Sequence, residues 1–309
     1  MEKNFKTINE QVEILKNKGL IIEDEISVKE TLLIENYFFI MGYRHAFMTS
    51  PKERKFIPGT TFDEVYSLFT FDRNFRNIIF KNVLIVENNY KSIFSYVLSK
   101  KYGYKEKDYL NVNNFNKNKD TNRQINDLLR KLKRQIRING YQHQATSHYI
   151  NNYGYIPMWV SVKVLSFGLM SELFSILKDV DREEIASYYN ISADELEDYL
   201  SILSNYRNLC AHEDILYNHE TQKEIDDTTY HELLEIPQVE GEYIYGKHDI
   251  FALIIILKQM LTHTDFKMMM NEIDYEIEWL SSKLHSIDVQ KVLYRMGFPD
   301  NYKQISYMD

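Results

Sequence analysis

Apolar positions along this chain recur mainly with the 3.6-residue period of helices, and the period-two alternation of strands is nearly absent. The longest periodic stretch predicts a helix over residues 62–99, with Val65, Leu68, Phe75, Ile79, Ile93 and Val97 among its apolar positions, and Asn88-Asn89 as the point where it would break in two. Ahead of it, Thr7-x-x-Glu10 is a capping box opening a short helix that Gly19 stops. Ser27-x-x-Glu30 repeats the device and starts a second helix through Tyr37 to Met41. Pro51, Pro58 and Gly59 mark a loop, and the Asn/Lys-rich residues 111–121 read as another.

The second half continues in the same way. A helix over residues 122–138 places Ile125, Leu128, Leu132 and Ile136 on one side and cations on the other. Pro157 introduces a helix through Leu177, and Ser192-x-x-Glu195 caps the one that carries Arg207. Residues 233–245, with Pro237 and Gly241 inside, predict a small β-hairpin. Helical patterns resume at residues 247–261 and 265–284, with a short one before Gly297-Phe298-Pro299. The expectation is an all-α fold without a clear linker.

Composition sharpens that picture. Ten Gly and 5 Pro against 24 Tyr and 17 Phe leave few breakers among many long side chains. The run from Ile250 to Leu257 is about half the length a bilayer needs, so it reads as a buried helix and no membrane is expected. Cys210 is the single cysteine, which excludes an internal disulfide and, with no signal-peptide pattern at the start, suggests a reducing cytoplasm. The formal net charge of −8 argues against a general nucleic-acid coat protein and confines any RNA contact to a local basic patch.

Arg207-Asn208-Leu209-Cys210-Ala211-His212 is the stretch richest in chemistry. Arginine grips phosphate oxygens with a planar, permanently charged fork, and histidine exchanges protons near neutral pH. Together they form a minimal kit for cutting RNA without a metal. The same residues have a blander reading, in which Arg207 pairs with Asp198, Glu213 or Asp214 and His212 caps a helix end. Cys210 within the motif reads as a small buried residue. Five residues on a helix rotate by about 140°, so Arg207 and His212 do not naturally share a face. A distorted helix end or the symmetric copy in a dimer would reconcile them, and the dimer is favoured.

The helix after residue 122 carries six cations, Arg123, Arg130, Lys131, Lys133, Arg134 and Arg137, against the single acid Asp127. On an acidic protein it is the candidate for phosphate contact, with Tyr141, His143 and His148 nearby to stack on bases; a solvated cationic face is the competing reading. His212-Glu213-Asp214 lacks a second ligand at helical spacing, and C-x2-C, H-E-x-x-H and glycine-rich phosphate loops are absent. Neither a metal nor another cofactor is expected.

Several separated motifs, in order, resemble the bacterial abortive-infection (Abi) proteins, the phage-defence group that includes AbiD and AbiF. They are Asn36-Tyr37 with Gly42-Tyr43, then Leu68-Phe69-x-Phe71-Asp72-Arg73-x-Phe75-Arg76 with Glu87 beyond, and Pro157-Met158-Trp159-Val160 with Phe167-Gly168. Arg207-Asn208-x-x-Ala211-His212 with Leu216-Tyr217-Asn218 and, at the end, Gly297-Phe298-Pro299 complete the set. The sequence departs from the pattern at Phe39, where a basic residue is usual, at Lys91, where arginine is usual, and at Tyr217 and Tyr302.

The resemblance implies a HEPN-like helical bundle over residues 61–309, with an N-terminal helical extension over 1–60 and a basic helical insertion around 105–150. It also implies a metal-independent endoribonuclease in which the RNA 2′-hydroxyl attacks the neighbouring phosphate. Arg207 would carry the phosphate charge, His212 the proton transfer, and Asn208 would orient the imidazole or hold a phosphate oxygen. Glu87 either fixes Arg207 or only pairs with Lys91, and Asp72, Arg73 and Arg76 form a salt-bridge cluster at a helix start, with contact to RNA as the competing reading. Expected partners are RNA, as substrate or as a cognate structured non-coding RNA, and a second copy in a homodimer. A non-catalytic RNA-binding role is the alternative.

Overall fold

The computed structural model describes residues 4–50, 55–116 and 121–308 and is all-α apart from one two-stranded hairpin. Pro51 and residues 117–120 of the expected loops lie outside the described residues. In chain order, α1 (Ile8–Asn17), α2 (Glu25–Glu35) and α3 (Tyr37–Ile40) lead into a 3-10 segment, Met41–Phe47. Then come α4 (Phe62–Tyr102), α5 (Glu106–Tyr109), α6 (Thr121–Gly140), α7 (Gln144–Tyr153), α8 (Met158–Ser161), α9 (Phe167–Ser175), α10 (Asp179–Ser187) and α11 (Ala193–Ala211). The chain closes with α12 (Thr229–Leu233), β1 (Gln238–Val239), β2 (Glu242–Tyr243), α13 (Ile250–Met260), α14 (His263–Ser281) and α15 (Val289–Arg295).

Helix α4, 41 residues long, is the axis of the molecule, and α8, α10, α11, α13 and α14 pack along it. It starts at a capping box formed by Thr61 and Glu64 and stops where Gly103 takes a φ of 96°. It does not break at Asn88-Asn89. Both asparagines face solvent, while Val86 and Tyr90 on either side are fully buried. Tertiary packing at roughly 1.5–3 kcal/mol per buried large side chain outweighs two modest propensity penalties. Helix α13 is buried along nearly its whole length, as its apolar run predicts.

Three boundaries differ from expectation. Asp24, not Ser27, caps α2, because its Oδ1 accepts the N–H groups of Ile26 and Ser27 at 3.0 and 3.1 Å. That helix ends at Asn36, whose φ of 69° breaks it from α3. The helix expected from Pro157 through Leu177 is two, α8 and α9, because Ser166 caps a fresh start by accepting from Leu169 N. The capping boxes at Thr7 and Ser192 and the hairpin, with Gln238 paired to Tyr243, lie where the sequence predicts.

Candidate functional site

Helix α11 carries Arg207 in its last turns and ends with His212 as its C-cap, whose N–H donates to the Asn208 carbonyl at 3.0 Å. Glu213 then adopts a φ of 56°, which turns the chain off the helix axis. The segment after that turn is fixed from beneath by α4. Asp72, fully buried, accepts the backbone N–H groups of Leu216 at 3.0 Å and Tyr217 at 2.7 Å. Its Oδ2 also accepts from Tyr43 Oη at 2.6 Å and from the Arg76 guanidinium. Arg76 Nη1 in turn donates to the Asp214 carbonyl at 3.2 Å. Burial pushes the Asp72 carboxyl pKa upward, and Arg76 and these donors oppose the push.

Asp72, Arg73 and Arg76 therefore do not form one cluster at a helix start. They lie three turns into α4, and Arg73 belongs to a separate pair. Its Nη1 and Nη2 grip Glu35 bidentately at 3.0 and 2.6 Å, with the guanidinium 4.6 Å over the Phe69 ring. That pairing holds Glu35 below the usual carboxylate range and ties α2 to α4.

Over this floor opens a cleft of 780 Å³, lined by Phe38, Phe39, Tyr43, Arg44, His45, Arg73, Arg76, His212 and the 213–215 turn. His212 is exposed at its edge. Phe39, where a basic residue was anticipated, is 58% exposed in the same wall. Tyr217 stacks on Tyr43 with ring centroids 5.6 Å apart. Tyr302 is buried and donates to Asp274 Oδ1 at 2.8 Å, away from the motif.

Arg207 is not among the residues lining the cleft. Its Nε faces Glu87 Oε2 at 3.5 Å, and its guanidinium carbon sits 5.8 Å from the Phe80 ring centroid. None of Asp198, Glu213 and Asp214 takes the role of ion-pair partner; Asp198 pairs with Lys223 instead. Glu87 makes the expected pair with Lys91, its Oε1 accepting from Lys91 Nζ at 2.6 Å, while Oε2 faces Arg207 Nε at ion-pair distance without a hydrogen bond between them. Lys91 is further anchored on the Leu165 carbonyl at 2.7 Å. The Arg207 Nε is buried, so the solvent-facing third of the side chain excludes it. Asn208 is exposed and stands one helical turn from His212, as its spacing predicts.

Within one chain the expected trio is thus split: Arg207 rests over Glu87, and His212 looks into the cleft. Cys210 is buried, and burial pushes its thiol pKa up to about 12, which fits a small packed residue. Among the described residues, no group of three or more His, Cys, Asp or Glu is placed to hold a metal ion.

All six cations of α6 are exposed, and Ile125, Leu128, Leu132 and Ile136 opposite them are buried. Arg130 pairs with Asp127 in the same helix and Lys131 reaches Glu172 at 3.0 Å. Arg123, Lys133, Arg134 and Arg137 have no ion pair among the described residues. The sequence had shown these cations, but it had not shown Tyr43, Arg44 and His45 as neighbours of His212. The signal for Tyr43 lay in its place beside Gly42, where an added Cβ would stand 2.6 Å from Ile215 Cδ1.

No helix among the described residues is long and apolar enough to cross a membrane. No curated protein and no solved structure matches the chain. The family model described as Abi-like protein matches residues 30–218, which runs from the second half of α2 through α11 and takes in the Asp72–Arg76 floor, Glu87, and the motif through Asn218. The chain belongs to the Abi-like protein family.

Proposed function

We propose that this protein is a phage-defence endoribonuclease of the HEPN type, acting in the cytoplasm as a homodimer. Family membership supports the link to abortive infection. The observation that carries the enzymatic reading is the end of α11. There an exposed imidazole lines a cleft that also carries Arg44, an exposed asparagine stands one turn before it, and a partly exposed arginine lies further back over Glu87. In the proposed reaction the RNA 2′-hydroxyl attacks its own phosphorus as the P–O5′ bond breaks, leaving a 2′,3′-cyclic phosphate and a 5′-hydroxyl. His212 handles a proton of the attacking or leaving oxygen, Arg207 balances the charge gathering on the phosphate, and Asn208 orients the imidazole or a phosphate oxygen. The cations of α6 hold the rest of the strand.

A dimer supplies what one chain lacks. Ile26, Leu33, Ile34, Phe38 and Phe39 on α2 and α3 are 73, 72, 80, 76 and 58% exposed, an apolar face that runs into the cleft wall. A second copy seated there would cover this face, and the shared site requires the Arg207 of that copy to reach the first copy's His212. The separation of Arg207 from His212 within one chain favours one other reading, in which the motif only grips a cognate structured RNA.

The deciding experiment incubates the protein with mixed RNA in EDTA. Cyclic-phosphate ends that vanish in both Arg207→Ala and His212→Ala support the enzyme. RNA bound but never cut, with weaker binding by Arg207→Ala, supports the alternative.

A further inference from the structure

Beyond the C-terminal end of α4 the surface carries a strip of aromatic rings that the site does not use. Trp159 and Tyr104 have centroids 5.6 Å apart, Tyr104 and Tyr155 5.7 Å, Tyr155 and Tyr153 6.3 Å, and Tyr153 and Tyr149 5.4 Å. Tyr104, Tyr153 and Trp159 are 41, 58 and 48% exposed, an unusual outlay of large rings on a water-facing surface. Lys105 Nζ lies 4.8 Å from the Tyr155 centroid and 5.9 Å from that of Tyr104.

The strip is fixed in place. Met158 N donates to the Tyr104 carbonyl at 3.1 Å, which locks the Trp159 turn to the end of α4. Ile156 N donates to Glu106 at 2.6 Å, and Tyr109 Oη donates to the Ile156 carbonyl at 3.1 Å. Gly154, with a φ of 72°, makes the sharp turn between Tyr153 and Tyr155. Beside the strip, Tyr155 forms one wall of a 470 Å³ groove whose other walls include Lys107, Lys133 and Arg137. Rigid rings next to a line of cations match unpaired nucleotides, whose bases stack on π-faces while their phosphates follow the charge. A duplex keeps its bases stacked on one another and has no use for the rings.

We infer that the Trp159–Tyr104–Tyr155–Tyr153 strip is a base-stacking platform that holds a single-stranded segment of RNA, with its backbone along the Lys133–Arg137 edge of α6. This rests on RNA being the ligand of the motif. It adds a second point of attachment, because Tyr102 lies 26 residues beyond Arg76 on one straight helix, or roughly 40 Å. An RNA that reaches both must be unpaired at the platform end.

The test titrates the full-length protein with a short 2′-O-methyl oligouridylate, which cannot undergo 2′-hydroxyl attack, and follows tryptophan emission. Stacking on Trp159 quenches the signal. Tyr104→Ala and Tyr153→Ala each weaken binding by about 5- to 150-fold, and Tyr104→Phe retains it. Equal binding by the alanine variants, or competition by blunt duplex RNA as strong as by the single strand, overturns the platform. Cutting of ordinary RNA by the parent protein is scored separately, so a failed platform leaves the α11 site standing, and a failed nuclease leaves the platform standing.

Discussion

Asp72 and Tyr217 are 145 residues apart in the chain and one hydrogen bond apart in space, the Tyr217 N–H donating to Asp72 Oδ1 at 2.7 Å. With Leu216 N, Tyr43 Oη and Arg76 on Oδ2, this carboxylate ties α4, the 3-10 segment and the chain after His212 into one unit. Asp72→Ala leaves the Arg76 guanidinium buried without its carboxylate, which typically costs about 3–5 kcal/mol. The expected outcome is a urea midpoint shifted down with the slope unchanged, and a matching loss in Arg76→Ala because the two share one network.

Glu87 pairs through Oε1 with Lys91 and faces Arg207 through Oε2, and under the proposed function the two contributions separate by mutation. Glu87→Gln removes the charge facing both Lys91 and Arg207. Replacing Lys91 as well, in Glu87→Gln/Lys91→Met, removes the stranded buried ammonium and recovers most of the lost stability. It does not restore the seat of Arg207. RNA cutting in both variants is expected to fall by about 100-fold, the cost of a misplaced group, when followed by single-turnover kinetics. Full activity in the double variant would mean that Arg207 needs no carboxylate beneath it.

Glu64 makes the fold sensitive to acid. Burial raises its pKa, but the N–H groups of Ser286, Thr61 and His285 more than offset this and leave it below the ordinary carboxylate value. A carboxylate with a depressed folded pKa adds stability above its unfolded pKa, near 4.5, and loses it as pH falls through the folded value. Chemical denaturation of Glu64→Gln should therefore show a deficit at pH 7 that narrows steadily below about pH 4.5. A deficit independent of pH would place the loss in packing and not in charge.

The local devices of this fold are legible in the sequence: the capping boxes at Thr7 and Ser192, the apolar run of α13, the two faces of α6, and the Pro237–Gly241 hairpin. Each depends on neighbours within a turn or two. What stayed hidden depends on distant partners. Asn88-Asn89 looked like a break because only packing on both sides reveals that the pair faces water. Ser27-x-x-Glu30 had the right letters, yet Asp24 sits closer to the free N–H groups and takes them. Gly297 follows the last helical pattern in the sequence, but its reason is tertiary. Its φ is 82°, and an added Cβ would stand 2.1 Å from the Asp249 carboxylate. At the site, the sequence named Arg207, Asn208, His212 and Glu87, and the rotation between the first and third was already visible from helix geometry. The cleft wall of Phe38, Arg44 and His45 was not, because it comes from a segment about 170 residues earlier, brought in by Tyr43 and Asp72.

In the proposed dimeric site Arg207 of one copy and His212 of the other serve the same phosphate, which two inactive proteins, mixed, can reveal. Arg207→Ala and His212→Ala are each purified, shown not to cut RNA, then unfolded and refolded together so that mixed dimers form. Shared sites predict that RNA cutting returns in the mixture to about a quarter of the parent rate, since about half of randomly paired dimers are mixed and each mixed dimer restores one of its two sites, the other having lost both groups. A mixture as inactive as either protein alone, while co-purification through a tag carried by only one of the two variants shows that mixed dimers have formed, would contradict it.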